Sequence, residues 1–277
     1  MKVIVADQAG VCFGVKRALD LVNAESEKGG DLATLGPLIH NPQVVAKLEE
    51  KGVRVVKSVD DASSGTIVMP SHGVPRDVIS AAEKAGLNVV DATCPFVAKV
   101  HRRVEALAKS GYFVVVVGDA GHSEVKSIMS AAGENSVVVS SPDEVDAIDW
   151  SGKNVGVVCQ TTQTPERFGE VVGKIAARVK EVFAYNTICY ATSDRQCAAH
   201  DLAPRVQAMF VVGGRNSANT NRLAEICMQS GTPAYHIETA DEIQNEWVAG
   251  MQTVGVTAGA STPEWIIQEV RQHLERL

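Results

Sequence analysis

Three cysteines stand at one fixed distance from three polar residues. Cys12 and His40, Cys94 and His122, and Cys189 and Ser217 are each 28 residues apart. Each polar residue also lies four positions after a glycine: Gly36, Gly118 or Gly213. One thiol per copy supplies three soft ligands and no fourth. Paired Cys-x-x-Cys spacings, which a zinc ribbon needs, are absent. Iron–sulfur clusters normally take four thiolates, so three would leave one iron of a cubane open. An open coordination position is the mark of a catalytic centre, where a substrate oxygen can bind as a Lewis base. The other cysteines, Cys159, Cys197 and Cys227, fall outside the spacing and read as small buried hydrophobes.

The histidines suggest a second chemistry. His40, His72 and His122 precede Asn41-Pro42, Gly73 and Ser123, at places expected to be helix N-termini. Free N–H groups and a positive dipole end suit such places to anions. Ser217, Asn219 and Ser261 offer neutral donors at the matching places in the third copy. Singly each reads as a cap; as a set they read as a pocket for phosphate or carboxylate. Neither a GxGxxG nor a GxxxxGK[ST] fingerprint occurs, which removes a dinucleotide fold or P-loop as the source. His101, His200, His236 and His273 read as surface residues.

The elements that must position these residues form an internal repeat. Strand-like segments precede each cysteine: Val3-Ile4-Val5-Ala6, Asn88-Val89-Val90-Asp91 and Ala184-Tyr185-Asn186. Helical patterns start from about Gly14, Pro95 and Ala191, with Ala18, Leu19 and Val22 on one face of the first. Each copy ends on a strand, a polar loop and a proline able to open a helix: Pro75, Pro165 and Pro263. The spacing predicts three α/β repeats related by a pseudo-threefold axis, each a small parallel sheet covered by helices. Their boundaries are expected at 13–94, 95–188, and 1–12 with 189–277. Active residues of such sheets gather beyond the carboxyl ends of strands, so the three cysteines would face one central cavity.

Composition narrows the rest. With 26 Lys and Arg against 33 Asp and Glu, the net charge of −7 argues against a nucleic-acid reader. Aromatics at 5% in a chain 45% hydrophobic favour buried parallel strands over a β-sandwich. No apolar run reaches the roughly 20 residues of a membrane span. Met1-Lys2 leads directly into Val3–Ala6 without an apolar leader, so a cytoplasmic location is expected, where cysteines are thiols or ligands before they are disulfides.

The motifs Gly10-Val11-Cys12-Phe13-Gly14-Val15, Leu35-Gly36-Pro37-Leu38-Ile39-His40-Asn41, Asp91-Ala92-Thr93-Cys94-Pro95 and Ile188-Cys189-Tyr190-Ala191-Thr192 are together highly specific. With Ser71-His72-Gly73-Val74, Gly121-His122-Ser123-Glu124-Val125 and Thr257-Ala258-Gly259-Ala260-Ser261, they resemble the 4-hydroxy-3-methylbut-2-enyl diphosphate reductase family over essentially the whole chain. The resemblance implies three α/β domains around one [4Fe-4S] cluster per chain, with Cys12, Cys94 and Cys189 as ligands. It implies a diphosphate site of His40, His72, His122, Ser217, Ala218, Asn219 and Ser261, with Thr161 near the substrate hydroxyl. Glu124 would head proton delivery, with His122 and Thr161 beside it. The family often has Ser-Ser-Asn where this chain reads Ser217-Ala218-Asn219, so at Ala218 only the backbone N–H can serve an oxygen. The implied reaction is reductive dehydroxylation of an allylic diphosphate to isopentenyl and dimethylallyl diphosphate. An external electron donor, a ferredoxin or flavodoxin, is the expected partner, with neither nucleic acid nor membrane. A quinolinate-synthase-like enzyme is the nearer rival, and its loops lack the three-histidine set. A three-domain anion carrier with zinc or no metal is the more distant one.

Overall fold

The computed structural model describes residues 1–62 and 64–277. The chain opens with β1 (Lys2–Val5) and α1 (Phe13–Glu27), then makes three passes of one pattern. The first is β2 (Leu32–Leu35), α2 (Pro42–Glu50), β3 (Arg54–Val56), β4 (Thr66–Met69), α3 (Arg76–Lys84), β5 (Asn88–Asp91) and α4 (Pro95–Lys109). The second is β6 (Phe113–Val117), α5 (Ser123–Ala132), β7 (Ser136–Val139), β8 (Val155–Cys159), α6 (Pro165–Ala176), β9 (Val182–Ala184) and α7 (Tyr190–Leu202). The third is β10 (Met209–Val212), α8 (Ala218–Gln229), β11 (Ala234–Ile237), β12 (Thr253–Ala258) and α9 (Glu264–Arg276).

Three four-stranded parallel sheets result, ordered β3-β2-β4-β5, β7-β6-β8-β9 and β11-β10-β12-β1. Numbered within each pass, the order is the same three times: second, first, third, fourth. The third sheet takes its fourth strand from the other end of the chain, pairing Lys2 with Thr253 and Val5 with Val256. A short 3-10 turn follows the second strand in every pass, at Val59–Asp61, Pro142–Ala147 and Ala240–Glu242. At the first and last of these, a capping box closes the turn, between Ser58 and Asp61 and between Thr239 and Glu242.

Central strands of a sheet covered on both faces should be mainly apolar, and they are, with threonine the only polar type, at Thr34 in β2, Thr66 in β4 and Thr253 and Thr257 in β12. In β6 the residues Val114–Val117 are fully buried. Alternation sends Val115 and Val117 toward Phe168, Val171 and Ile175 of α6, while Val114 and Val116 meet Val100, Val104 and Leu107 of α4 and Val125 and Ile128 of α5. In β10, Phe210 and Val212 pack with Ile266, Ile267, Val270 and Leu274 of α9, whereas Met209 and Val211 pack with Ala199, Leu202, Leu223 and Cys227. Each such side chain removed from water contributes about 1.5–3 kcal/mol.

The chain divides into two compact units. One comprises Met1–Lys16, Ile39–Leu48 and Tyr190–Leu277 and holds the sheet containing β10. The other comprises Arg17–Leu38 and Glu49–Cys189 and holds the remaining two sheets. No helix among the described residues is long and apolar enough to cross a membrane.

Candidate active site

In the larger unit, five of the expected residues lie on loops beyond the carboxyl ends of strands, and hydrogen bonds tie those loops together. Cys94 follows β5, and its N–H donates to the Ser71 carbonyl at 2.9 Å, one residue before His72. Cys189 follows β9, and its N–H donates to the Thr161 carbonyl at 3.1 Å. Thr161 follows β8 and donates twice to Glu124: its N–H to Oε1 at 2.6 Å and its hydroxyl to Oε2 at 2.9 Å.

Glu124 sits in the first turn of α5, where acidic side chains are common and usually solvated. Here it is only 4% exposed. Burial pushes its pKa from 4.5 up to about 7, against the opposing effect of the two Thr161 donors. Helix entry is set by His122, the N-cap residue, whose Nδ1 accepts the Glu124 N–H at 3.1 Å. That bond requires Nδ1 to be without a proton, and burial lowers the His122 pKa, against the raising effect of Asp119. A ring held as an acceptor at Nδ1 therefore caps the helix turn that carries a carboxyl group poised as an acid.

In the smaller unit, the Cys12 N–H donates to the Ala260 carbonyl at 3.0 Å. Its neighbour Ser261 donates from its hydroxyl to the His40 carbonyl at 3.0 Å. Gly214 makes the second contact with His40 possible, since a Cβ there would stand 2.6 Å from the same carbonyl oxygen. Ser217 caps α8, its hydroxyl accepting the Thr220 N–H at 3.3 Å, and Ala218 is the first residue of that helix. Asn219 comes next, and it is 4% exposed. Neither its side-chain nitrogen nor its oxygen has a hydrogen-bond partner among the described residues. A buried amide left so costs about 1–3 kcal/mol, and the acceptor oxygens of an anion would recover the part that belongs to its Nδ2 donors.

The donor set, three single thiols, suits an iron–sulfur cubane, whose irons take thiolate ligands. Each expected ligand follows the fourth strand of its sheet and has its N–H held by a neighbouring loop. Among the described residues, no group of three or more His, Cys, Asp or Glu side chains is disposed to hold one metal ion.

The reading of two further cysteines as buried holds, and several other sequence expectations need correction. Cys159 and Cys227 are buried, and burial raises both thiols, that of Cys227 to about 11. Cys197 is exposed on α7, not buried, because it lies on the side of the helix away from Ala199 and Leu202. His101 is half-buried and shares a hydrogen bond of 3.1 Å with Ser127 of α5, and burial lowers its pKa. His236 is also half-buried, with Nε2 2.8 Å from the Gly213 carbonyl. His72 precedes α3 by four residues and so is not at its N-terminus. One residue went unread: Gln160, fully buried, accepts the Asp119 N–H on Oε1 and so joins the loops after β6 and β8. The run Gln160-Thr161-Thr162-Gln163, polar directly after an apolar strand, was the available signal.

Known proteins resemble the chain over its full length. A 4-hydroxy-3-methylbut-2-enyl diphosphate reductase of Trichlorobacter lovleyi is 52% identical over 277 residues, covering 100% of this chain and 99% of the relative. That of Geotalea uraniireducens is 49% identical, covering 100% and 98%. A solved structure of (E)-4-hydroxy-3-methyl-but-2-enyl diphosphate reductase superposes with TM-score 0.72 at 44% identity, covering 100% of both chains. An E-1-hydroxy-2-methyl-but-2-enyl-4-diphosphate reductase structure from Plasmodium falciparum gives TM-score 0.92 at 26% identity, covering 100% of this chain and 87% of that one. The family model for LytB protein matches residues 3–275, and the chain belongs to the LytB protein family.

Proposed function

We infer that this chain is a reductase that removes the hydroxyl group of 4-hydroxy-3-methylbut-2-enyl diphosphate, giving isopentenyl and dimethylallyl diphosphate. It works with one [4Fe-4S] cluster on three cysteines. Two electrons and two protons enter, the allylic C–O bond breaks, and water leaves. The cluster supplies the electrons and a Lewis-acidic iron; binding, orientation and proton supply fall to the chain. Cys12, Cys94 and Cys189 are the proposed ligands. An external one-electron donor of the ferredoxin or flavodoxin kind delivers the electrons. The lobe boundaries 13–94, 95–188, and 1–12 with 189–277 are proposed on sheet membership.

The observation that carries the reading is Glu124. A carboxyl group with a pKa of about 7 keeps its proton in a large share of molecules near neutral pH and still gives it up readily. The Thr161 hydroxyl donates to the carboxylate and can turn to accept from the acid, so the pair tolerates both states of the proton. His122 fixes the first turn of α5 and thereby the carboxyl group itself. The diphosphate is assigned to His40, His72, His122, Ser217, Asn219 and Ser261, with the Ala218 N–H at the head of α8 replacing a hydroxyl. Thr161 is placed at the substrate's hydroxyl end.

Anaerobic cluster reconstitution, followed by assay of the allylic diphosphate with a chemical reductant, tests the activity. Cys12→Ser, Cys94→Ser and Cys189→Ser should each lose iron and turnover, while Cys159→Ala, Cys197→Ala and Cys227→Ala keep the brown chromophore. A colourless Cys197→Ala protein beside a brown Cys189→Ser protein would overturn the ligand set.

A further inference from the structure

Each helix that follows a cysteine sends an arginine to the approach of the next cysteine in cyclic order. From α1, Arg17 donates to the Thr93 carbonyl at 3.2 Å and the Asp91 carbonyl at 3.4 Å, one and three residues before Cys94. From α4, Arg103 lies over the Tyr185 ring, 4.8 Å from its centroid and four residues before Cys189. From α7, Arg195 donates to the Gly10 carbonyl through Nε at 3.2 Å and a terminal nitrogen at 2.6 Å, two residues before Cys12. Its other terminal nitrogen donates to the Ala191 carbonyl at 2.6 Å, two residues after Cys189 in the chain.

The three contacts are graded. Arg195 is 4% exposed, Arg17 is half-buried and Arg103 is exposed. The strongest falls where the backbone most needs restraint. The approach to Cys12 contains two left-handed residues, Gln8 at φ 62° and Gly10 at φ 100°. Gln8 is the only non-glycine residue with positive φ among the described residues. Left-handed backbone at a non-glycine residue such as Gln8 persists only where its surroundings over-determine it, and Gly10, two residues on, is where the arginine holds the same loop. A guanidinium is suited to that task, because its planar fork holds one carbonyl with two donors and a second carbonyl with a third.

We propose that Arg17 and Arg195 are positioning residues for cluster assembly, Arg195 holding the Cys12 loop and Arg17 the Cys94 loop. The proposal rests on the assignment of these cysteines as ligands. The positioning itself can be read without iron, so the two can fail separately. Each cysteine N–H is hydrogen-bonded to a loop carbonyl and therefore reports on its own loop: Cys12 to Ala260, Cys94 to Ser71 and Cys189 to Thr161.

Hydrogen–deuterium exchange on the full-length metal-free chain, resolved to peptides around the three cysteines, is the test. Arg195→Met should speed exchange at Cys12 by about ten- to a hundredfold, the worth of hydrogen bonds to a charged donor, and leave Cys94 within about twofold. Arg17→Met should do the reverse. Arg195→Lys keeps the cation but not the fork and should fall between parent and Arg195→Met. Arg271→Met, which removes an exposed pair with Glu275, is the control and should change none of the three. On the reconstituted enzyme, the electron paramagnetic resonance spectrum of the reduced cluster should change in Arg195→Met and move back toward the parent's in Arg195→Lys. Equal acceleration at all cysteines in both methionine variants, or none at the predicted one, overturns the proposal. If Arg195→Met does not fold, Arg17→Met and Arg195→Lys decide it alone. Loop exchange that follows the prediction while iron content stays at the parent's level would retain the positioning and remove its role in assembly.

Discussion

Glu124 and Asn219 are both 4% exposed, both lie in the first turn of a helix, and they are left in opposite conditions. The carboxyl group of Glu124 has donors on both oxygens, yet burial still holds it near neutrality. The amide of Asn219 carries no charge and has no partner on either atom among the described residues. A site that must store a proton needs its hydrogen bonds complete, so that the group stays in place as its charge changes. The proposed anion site needs its N–H donors left open, because the ligand brings acceptors for them.

Replacing the stored proton should have the largest effect. Glu124→Gln keeps shape and reach but cannot supply an acidic proton, so turnover should fall by about 10²–10⁴-fold. Cluster absorbance and substrate binding should be retained, and steady-state assays beside substrate titration check both. Turnover within a few-fold of the parent would pass the proton to another group.

Stability should carry the same signature. A carboxyl group raised from 4.5 to about 7 binds its proton more tightly in the folded chain than in the unfolded one. Between those values the folded state holds more protons, so stability falls as pH rises from about 4.5 to 7 and then levels off. A shift of that size corresponds to about 3 kcal/mol. Urea unfolding of the metal-free chain across that range should show the decline in the parent, and Glu124→Gln should remove most of it.

The next pair turns the comparison into opposite signs. Asn219→Ala removes a buried group that has no partner, so the free chain should hold its stability or gain slightly, while pyrophosphate binding weakens by about tenfold or more in calorimetry. Thr161→Val strips a donor from the Glu124 carboxylate, so the free chain should lose about 1–3 kcal/mol above pH 7. It should also raise the Glu124 pKa further, since the lost hydroxyl lowers it. Loss of stability in Asn219→Ala as large as in Thr161→Val would erase the distinction between the two sites.

Much of this arrangement could be read from spacing, because a repeat writes its geometry three times. The offset of 28 residues and the glycine before each polar loop are local consequences of one strand–helix unit. Helix starts at Phe13, Pro95 and Tyr190 fall within a residue of the periodicity's prediction. What could not be read was pairing between elements far apart in the chain. The bond between Thr161 and Glu124 spans 37 residues, and that between Arg195 and Gly10 spans 185. Composition around Glu124 suggests an ordinary solvated first turn; only the loop after β8 makes it a buried acid. Cys197 misled for the opposite reason, since residue type predicts average burial and not the side of α7 on which it falls.

The borrowed strand of the third sheet sets a timetable. β1 pairs along its whole length with β12, and Lys2 meets Thr253 only after about 250 intervening residues have been made. At ribosomal rates of roughly 5–20 residues per second, β1 waits on the order of tens of seconds for that partner. During that interval the Cys12 N–H lacks the Ala260 carbonyl that holds it, and Gly10 lacks Arg195 for the earlier part. The Cys94 loop, tied to Ser71 close by in the chain, is complete far sooner. The first thiol translated is thus the last to be set in its loop, and a nascent chain presents its proposed iron ligands in an order different from the one in which they are synthesised.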